Sequence, residues 1–166
     1  MTHSPVSAPS HVRPARPADA TALAGLRYEF RAALGDPTEP RDAFVARCAA
    51  WMTARLASGA WHAWVAERDG AVLGTVWIAT IEKMPNPTLE AESHAYVTNV
   101  YVRPAARGAG IGTRLLDAAM AWCQTAGIHA AILWPTRRSA VLYERYGFRR
   151  PEALMEREFG VGPRRN

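Results

Sequence analysis

Residues 100–113 read Val100-Tyr101-Val102-Arg103-Pro104-Ala105-Ala106-Arg107-Gly108-Ala109-Gly110-Ile111-Gly112-Thr113, and this stretch decides the fold. The alternating β-branched and aromatic residues from His94 to Val102 predict a strand. A glycine-rich turn follows, and the amphipathic pattern from Ile111 to Ala126 predicts a helix. Glycines let a ligand approach the backbone, and the first N–H groups of a helix have no partner inside it. A strand, a turn and a helix N-terminus in this order are typical of a phosphate site.

Three kinds of phosphate site compete for this stretch. A P-loop needs a lysine directly after its glycines, whereas Lys83, the one lysine of the chain, lies elsewhere. A dinucleotide-binding turn needs Gly-x-Gly-x-x-Gly and an acidic residue about 20 residues further on. Thr113 stands at the third glycine position, and residues 127–132 contain no acidic residue. Both of these alternatives are therefore disfavoured.

The third kind of site is indicated by two motifs, which resemble those of the GNAT-type N-acetyltransferases. The first motif is Arg107-x-x-Gly110-x-Gly112 after a Val-x-Val-x-Pro strand end, and it is similar to the pyrophosphate loop with which that family binds acetyl-coenzyme A. The second motif is Leu142-Tyr143-Glu144-Arg145-Tyr146-Gly147-Phe148, which resembles the family's Leu-Tyr-Glu-Lys/Arg-x-Gly-Phe signature. Their spacing leaves room for a helix, a strand and a short helix, as in the family.

The resemblance implies an α/β (α+β) fold, the single-domain acyl-CoA N-acyltransferase fold. That fold has a mixed, mostly antiparallel sheet of 6–7 strands with splayed central strands, flanked by about four helices. The predicted order of elements in this chain, β-α-α-β-β-β-α-β-α-β, is similar. We expect a disordered leader over residues 1–11, an N-acetyltransferase domain over residues 12–159 and a polar tail over residues 160–166.

Three local patterns add detail to this expectation. The apolar run from Ile128 to Trp134 predicts a strand that is buried on both faces. Gly74, inside a predicted strand, indicates a bulge. Residues 148–159 are expected to form a final strand or hairpin.

The composition limits the classes of function. The chain has 166 residues, 49% of them hydrophobic, which is enough for a sizeable core in one domain. No apolar run approaches the roughly 20 residues that span a bilayer, and residues 1–10 lack a hydrophobic signal core, so we expect a cytoplasmic protein without a membrane segment. Cys48 and Cys123 are expected to be reduced and buried, and no metal site is expected.

The net charge of +5 has three interpretations: a solvated basic surface, attraction of a polyanionic coenzyme, or nucleic-acid binding. Nucleic-acid binding is disfavoured because the arginines are spread along the chain and no RNA- or DNA-binding signature is present.

The coenzyme-binding residues are carried over from the resembled family. There the loop N–H groups cradle the pyrophosphate, and the strand end pairs with the pantetheine arm. The positions of this chain are Val100, Val102, Arg107, Gly108, Ala109, Gly110, Gly112 and Thr113. The family often has Asn at the position of Thr136, where the amide bonds the coenzyme arm. Thr136 is assigned the same contact, although a hydroxyl cannot reproduce the paired donor and acceptor of an amide.

The catalytic residue implied by the resemblance is Tyr143, which the family places beside the coenzyme sulfur. Its ordinary pKa near 10 keeps the phenol protonated at neutral pH, so Tyr143 can act as general acid to the leaving thiolate. A packing tyrosine at the end of a short helix is the alternative. The family has no fixed general base, and the candidates by chemistry alone are His94, Glu82, Glu29 and Glu92.

Residues that line the acceptor are harder to identify. Alternation places Tyr96 and Thr98 on the side of the strand that should face the splay. Asn99 either marks the bulge that opens the strand pair or binds the acceptor. Trp134 either forms an acceptor wall or packs in the core.

The resulting hypothesis is an N-acetyltransferase of the EC 2.3.1 class, which transfers acetyl directly from acetyl-coenzyme A to a primary amine of a small molecule or peptide. The alternatives are a non-catalytic acyl-coenzyme A sensor of the same fold and a basic nucleic-acid-binding domain. Sheet edges and an apolar final segment are compatible with a homodimer.

Overall fold

A computed structural model describes residues 9–137, 139–152, 154–157 and 159. Within them the strands are β1 (His11–Pro14), β2 (Trp61–Arg68), β3 (Ala71–Glu82), β4 (Ser93–Val102) and β5 (Ala130–Ile132). The α-helices are α1 (Ala20–Ala32), α2 (Arg41–Ser58), α3 (Ile111–Thr125) and α4 (Ala140–Arg145), with short 3₁₀ turns at Pro17–Asp19 and Pro104–Ala106. None of the helices described is long and apolar enough to span a bilayer.

The sheet has the order β1-β2-β3-β4-β5, antiparallel except for the parallel pair β4–β5. A tight hairpin turn joins β2 and β3. Asp69 and Gly70 both have positive φ angles, of 50° and 75°. Two such residues in a row form the tight turn whose twist matches that of paired strands.

Helices cover both faces of this sheet, because successive residues of a strand point to opposite sides. His62 and Trp64 of β2 lie against Trp122 of α3. The intervening residues of β2 join α1 and α2 in a hydrophobic cluster on the other face. That cluster comprises Ala20, Leu23, Ala24, Leu26, Met52, Ala63, Val65, Val72, Trp77 and Tyr101. The apolar sides of α1, α2 and α3 therefore face the sheet.

Contacts divide the chain into two compact units, the first ending at Leu133 and the second beginning at Trp134. The five-stranded sheet and α1–α3 belong to the first unit, and α4 belongs to the second. The predicted domain over residues 12–159 stays a prediction, and most of the predicted leader and all of the tail over residues 160–166 lie outside the described residues.

The end of the chain differs from the sequence-based expectation in two places. β5 has only three residues, which are partly exposed, because in the described part of the chain no further strand covers its outer edge. The described residues of 148–159 form no strand. In this segment Pro151 has no N–H to donate to a ladder, and Leu154, Met155 and Phe159 are exposed. The apolar pattern of residues 148–159 therefore predicted a buried strand, but no strand of the described chain pairs with this segment.

Gly74 marks an irregularity in the sheet, as predicted. β2 pairs Ala66 with Gly74 but Glu67 with Val72, so Leu73 is an extra residue in β3. The glycine also allows a close approach. A Cβ at position 74 would lie 2.8 Å from the carbonyl oxygen of Tyr101 and 3.3 Å from Cδ1 of Leu115. The strand end that precedes the glycine loop therefore packs directly on a position without a side chain.

We expect Gly74→Ala to destabilise the fold by about 1–3 kcal/mol, because a Cβ this close to backbone atoms forces the strands apart. For a chain of this size each kcal/mol lowers the melting temperature by about 2–4 °C. Gly35→Ala is the matched control, since a Cβ there meets nothing within 4 Å. Thermal unfolding followed by circular dichroism measures both variants. Equal melting temperatures for the two would contradict the packing described here.

Candidate functional site

The loop between β4 and α3 adopts a backbone that only glycine accepts easily. Gly108 and Gly110 have φ angles of 83° and 69°, in the left-handed region where a Cβ is disfavoured. Gly112 lies in the first turn of α3, where a Cβ would make only an ordinary contact, 3.9 Å from Val102. Two glycines of the motif are thus explained by backbone conformation, and the third is not required by the packing of the protein itself.

The N–H groups of this loop are available to a ligand. In the described part of the chain, residues 108–112 donate to no backbone or side-chain acceptor. Gly110 occupies the N-cap position of α3 and provides no side-chain cap. Thr113, in the same turn, is exposed. Uncapped N–H groups at the positive end of a helix dipole form a binding site for an anion such as phosphate.

Two arginines add positive charge to this loop. Arg107 Nε donates to the carbonyl oxygen of Val102 at 2.9 Å, and its guanidinium lies 5.8 Å from the ring centre of Tyr101. Arg114 donates from Nη1 to the carbonyl oxygen of Ala109 at 3.0 Å. Both arginines are exposed. A polyanion that approaches the loop therefore meets two arginines whose charge is not neutralised by a carboxylate in the described chain.

The strand that leads to the loop has an open edge. β5 pairs with β4 only from His94 to Tyr96. Beyond Tyr96 no strand in the described chain pairs with this edge, so the second half of β4 is open. Val100 and Val102 lie in that half and are partly exposed. An extended ligand arm can pair with such an edge as an added strand.

A bulge separates the two halves of β4. Trp77 of β3 pairs with Thr98 and Thr75 pairs with Tyr101, so β4 has one residue more than β3 between these pairs. Asn99 lies in this bulge with a φ angle of 52°. The bulge predicted at Asn99 is therefore present. Asn99 Oδ1 also accepts a hydrogen bond from Arg27 Nη1 of α1 at 3.4 Å.

The other proposed acceptor residues lie in two different units. Tyr96 pairs with Ala79 and Thr98 with Trp77, so both point to the sheet face that α1 and α2 cover. Trp134 belongs to the second unit, where it is 43% exposed, and its Nε1 donates to Glu156 at 3.3 Å. This exposure does not fit a core aromatic.

Tyr143 is buried within α4 of the second unit, and its ring packs edge-to-face on Phe148 with 5.8 Å between ring centres. Burial raises the pKa of Tyr143 to about 12, and a hydrogen bond with Ser139 opposes only part of this rise. The phenol is therefore a proton donor throughout the neutral range. Its position relative to a bound coenzyme stays a prediction.

Thr136 has a local structural role just before α4. Its Oγ1 lies 3.0 Å from Ser139 Oγ and accepts from the N–H of Ser139 at 3.3 Å. Such a pair of hydroxyls satisfies backbone groups where a helix begins. A contact of Thr136 with the coenzyme arm stays a prediction, and it would compete with these bonds.

The candidates for a general base are placed differently by the structure. Glu29 forms a salt bridge with Arg103 at 2.9 Å, and Glu82 and Glu92 are exposed. His94 stacks on His129 with 5.5 Å between ring centres. Among residues 9–137, 139–152, 154–157 and 159, no three His, Cys, Asp or Glu side chains come together as metal ligands. None of the four candidates is aimed at the open half of β4 by a contact described here.

Arg27 is the residue that the sequence analysis missed. It follows Leu23 by four residues, so it lies along the apolar stripe of α1, and a charge on that stripe was the available signal. The bulge at Asn99 brings the two side chains together.

Comparison with known proteins identifies the architecture. The acetyltransferase (GNAT) family model matches residues 26–148, which is most of the chain. No curated protein sequence matches the chain. Solved structures with a similar fold include a GCN5-related N-acetyltransferase from Ralstonia eutropha JMP134, at 29% identity and a TM-score of 0.70 over 91% of this chain and 99% of that one.

Two further structures hold the coenzyme. One is described as a predicted acetyltransferase from Clostridium acetobutylicum with acetyl-CoA, at 23% identity and a TM-score of 0.76 over 90% of this chain and 96% of that one. The other is aminoglycoside N-acetyltransferase AAC(6')-Iy in complex with CoA, at 17% identity and a TM-score of 0.70 over 96% and 100% of the two chains.

The expected fold is confirmed by these likenesses, with one difference. The described chain has a mixed sheet of five strands and four α-helices, where six or seven strands were expected. The family match spans both sequence motifs, the glycine loop and the Tyr143 segment. The chain therefore belongs to the GNAT acetyltransferase family.

Proposed function

We propose that the protein transfers the acetyl group of acetyl-coenzyme A to a primary amine of a small molecule or peptide. The observation that carries this proposal is the loop of residues 108–112, which follows the open half of β4 and leaves the N-terminus of α3 without a side-chain cap. The loop offers N–H groups and two arginines to a pyrophosphate, and the open strand edge offers backbone groups to an amide-containing arm. This donor set fits acetyl-coenzyme A without a metal ion.

The coenzyme would be held by the backbone of two segments. The N–H groups of residues 108–112, the guanidinium of Arg107 and the hydroxyl of Thr113 bind the pyrophosphate. Val100 and Val102 pair with the pantetheine arm, which requires Arg107 to release the Val102 carbonyl or to share it. Thr136 is proposed to contact the same arm. This arrangement ends the arm at the Asn99 bulge, so the thioester lies next to that bulge.

The acetyl transfer itself needs a neutral amine and a proton for the thiolate. The amine nitrogen attacks the thioester carbonyl, the carbon–sulfur bond breaks, and the Tyr143 hydroxyl gives its proton to the leaving sulfur. An ordinary lysine-like ammonium, with a pKa near 10.4, needs roughly 4–5 kcal/mol to become neutral at pH 7. The amine releases one proton to solvent, and Tyr143 takes one proton back from solvent, so the two transfers cancel.

The acceptor side is proposed from position. Tyr96, Thr98 and Asn99 line the approach to the thioester, and Trp134 is kept as a proposed acceptor residue from the sequence alone. AAC(6')-Iy has also been solved with a bisubstrate analogue that joins CoA to an acetylneamine. The likeness to that enzyme concerns the fold alone, and it supports an amine acceptor only as a class.

The test is a turnover assay with an amine panel. Release of coenzyme A from acetyl-coenzyme A is followed with a thiol reagent, with and without amines of different charge and size. Amine-dependent release, with the acetylated amine found by mass spectrometry, supports the proposal. Tight acetyl-coenzyme A binding without turnover on any amine indicates the sensor instead. Salt-dependent retention of a DNA or RNA probe without coenzyme affinity indicates the nucleic-acid-binding domain.

A further inference from the structure

We propose that Arg27 binds an oxyanion of the amine acceptor, a carboxylate or a phosphate, and so selects amines that carry a negative charge. The inference rests on the proposed function, because it places the reacting thioester beside the Asn99 bulge. It specifies the class of acceptor, which the family match leaves open.

Arg27 is a partly buried cation that has no anionic partner among the described residues. Its guanidinium makes one long hydrogen bond, 3.4 Å from Nη1 to Asn99 Oδ1, and lies 5.8 Å from the ring centre of Phe30. No carboxylate lies within 4.0 Å of it in the described chain. Most of its five N–H donors therefore have no acceptor in the part of the chain that the structure describes.

Two other partly buried arginines of this protein are paired with carboxylates. Arg13 binds Asp19 at 2.8 Å and Glu67 at 2.5 Å, and Arg103 binds Glu29 at 2.9 Å. Buried charges in proteins are normally neutralised in this way, because an unpaired charge loses hydration without compensation. Arg27 departs from this rule at a position next to the candidate site.

The surroundings of Arg27 destabilise its charged form. Burial lowers the pKa of Arg27, and the positive charge of Arg31, one turn further along α1, lowers it further. The titratable groups near it on other elements are Cys48 of α2, whose pKa is raised by burial, and Tyr96 of β4. An arginine keeps its charge under these conditions, so an anion that reaches it gains a strong interaction.

The guanidinium of Arg27 lies close to the place proposed for the thioester. Asn99 precedes Val100, where the coenzyme arm is proposed to pair, and Thr98 and Tyr96 point to the sheet face that α1 covers. An acceptor anchored on Arg27 therefore lies over the bulge. A guanidinium binds a carboxylate or a phosphate through two parallel N–H···O bonds, which fixes the orientation of the acceptor as well as its charge.

The same charge disfavours polycationic acceptors. An aminoglycoside presents several ammonium groups, and these would approach a cation that no carboxylate of the described residues neutralises. We therefore expect different acceptors from those of AAC(6')-Iy, in spite of the common fold.

The test compares matched acceptors that differ only in charge. The pairs are 4-aminobutanoate with 4-aminobutanamide, and 2-aminoethyl phosphate with ethanolamine, and kanamycin serves as the polycation. For the native protein we expect kcat/KM to favour the anionic member of a pair by about 10–100-fold, since hydrogen bonds to charged groups contribute about 1.5–3 kcal/mol and each 1.36 kcal/mol is tenfold. Which pair shows the larger ratio distinguishes a carboxylate from a phosphate.

Two variants assign the preference to Arg27. Arg27→Gln should lower kcat/KM for the anionic member far more than for the neutral member, so that the anionic-to-neutral ratio comes close to one. Arg31→Gln removes the same charge from an exposed position of the same helix and should keep the ratio. A purely structural Arg27 would lower kcat/KM for both members equally, and that result overturns the inference. A native preference for the neutral members or for kanamycin overturns it as well.

A binding readout separates this inference from the proposed function. 4-Aminobutanoate or 2-aminoethyl phosphate, with coenzyme A present, should raise the melting temperature of the native protein but not of Arg27→Gln. Arg27→Met should melt at or above the temperature of the native protein, because it replaces an unpaired charge with an apolar chain. If no amine is acetylated, the proposed function fails, yet an Arg27-dependent melting shift still supports an anion site. If neither anion shifts the native melting temperature, the anion site is wrong.

Discussion

The double variant Arg107→Glu/Gly110→Trp is expected to bind acetyl-coenzyme A at least about 100-fold more weakly than the native protein. Charge reversal removes a charge-assisted contact with the pyrophosphate, and such contacts contribute about 1.5–3 kcal/mol each. The indole fills the space above the loop N–H groups, and its Cβ is strained at a φ of 69°. Isothermal titration calorimetry measures both affinities.

The matched control lies at the end of α2. Arg55→Glu/Gly59→Trp makes the same change in net charge and places the same side chain at a glycine with a φ of 74°, where a Cβ meets nothing within 4 Å. It should bind acetyl-coenzyme A like the native protein. Equal weakening in both double variants would mean that net charge or misfolding causes the loss. No loss in the loop variant would show that this glycine-rich turn is only a turn.

Tyr143→Phe is expected to lower kcat by about 100-fold or more, because general acid catalysis contributes roughly 10²–10⁴-fold. The KM for acetyl-coenzyme A should change little, since the ring and its packing on Phe148 are kept. Tyr146→Phe, just after the same helix, is the control and should keep most of the activity. Steady-state kinetics decide the matter. An unchanged kcat would leave Tyr143 with a packing role only.

The raised pKa of Tyr143 gives two expectations for its pH dependence. The native rate should rise with pH as the amine is deprotonated, with no fall from loss of the Tyr143 proton until the pH approaches about 12. The folded protein also holds this proton more tightly than the unfolded chain, whose tyrosines have a pKa near 10. The resulting stabilisation is complete below about pH 10 and is lost as the pH rises toward 12. Thermal melts of the native protein and Tyr143→Phe across this range measure the difference.

The sequence predicted those parts of the fold that depend on local chemistry. α3 begins at Ile111, as expected, because the glycines end the turn there and the apolar stripe of the helix starts at once. A bulge at Asn99 was one of two interpretations of that residue, and it agrees with the tolerance of Asn for a positive φ. The family motifs supplied the candidate coenzyme residues, which no pattern of hydrophobicity could have identified.

The parts that the sequence did not predict depend on partners distant in the chain. An apolar run such as residues 128–134 predicts burial, but the length of β5 depends on where β4 separates from it. The expected strand over residues 148–159 needed a neighbouring strand that no local signal can guarantee. Arg27 was missed because its meaning depends on docking α1 over the bulge. In each case tertiary context, rather than propensity, decided the outcome.

Because of the close contact at Gly74, the end of β4 is already ordered before a ligand binds. The end of β4 is held there by packing, by the hydrogen bond from the Arg103 N–H to Leu73 at 2.9 Å and by the ion pair of Arg103 with Glu29. The end of β4 therefore loses its conformational entropy when the protein folds. Ligand binding does not have to supply the free energy for ordering this segment. The amide hydrogen of Arg103, which is bonded to Leu73, should exchange slowly even without ligand, whereas those at residues 108–112 become protected only when a ligand arrives. Slow and fast exchange would then meet within a few residues, which marks where the scaffold stops and the binding surface begins.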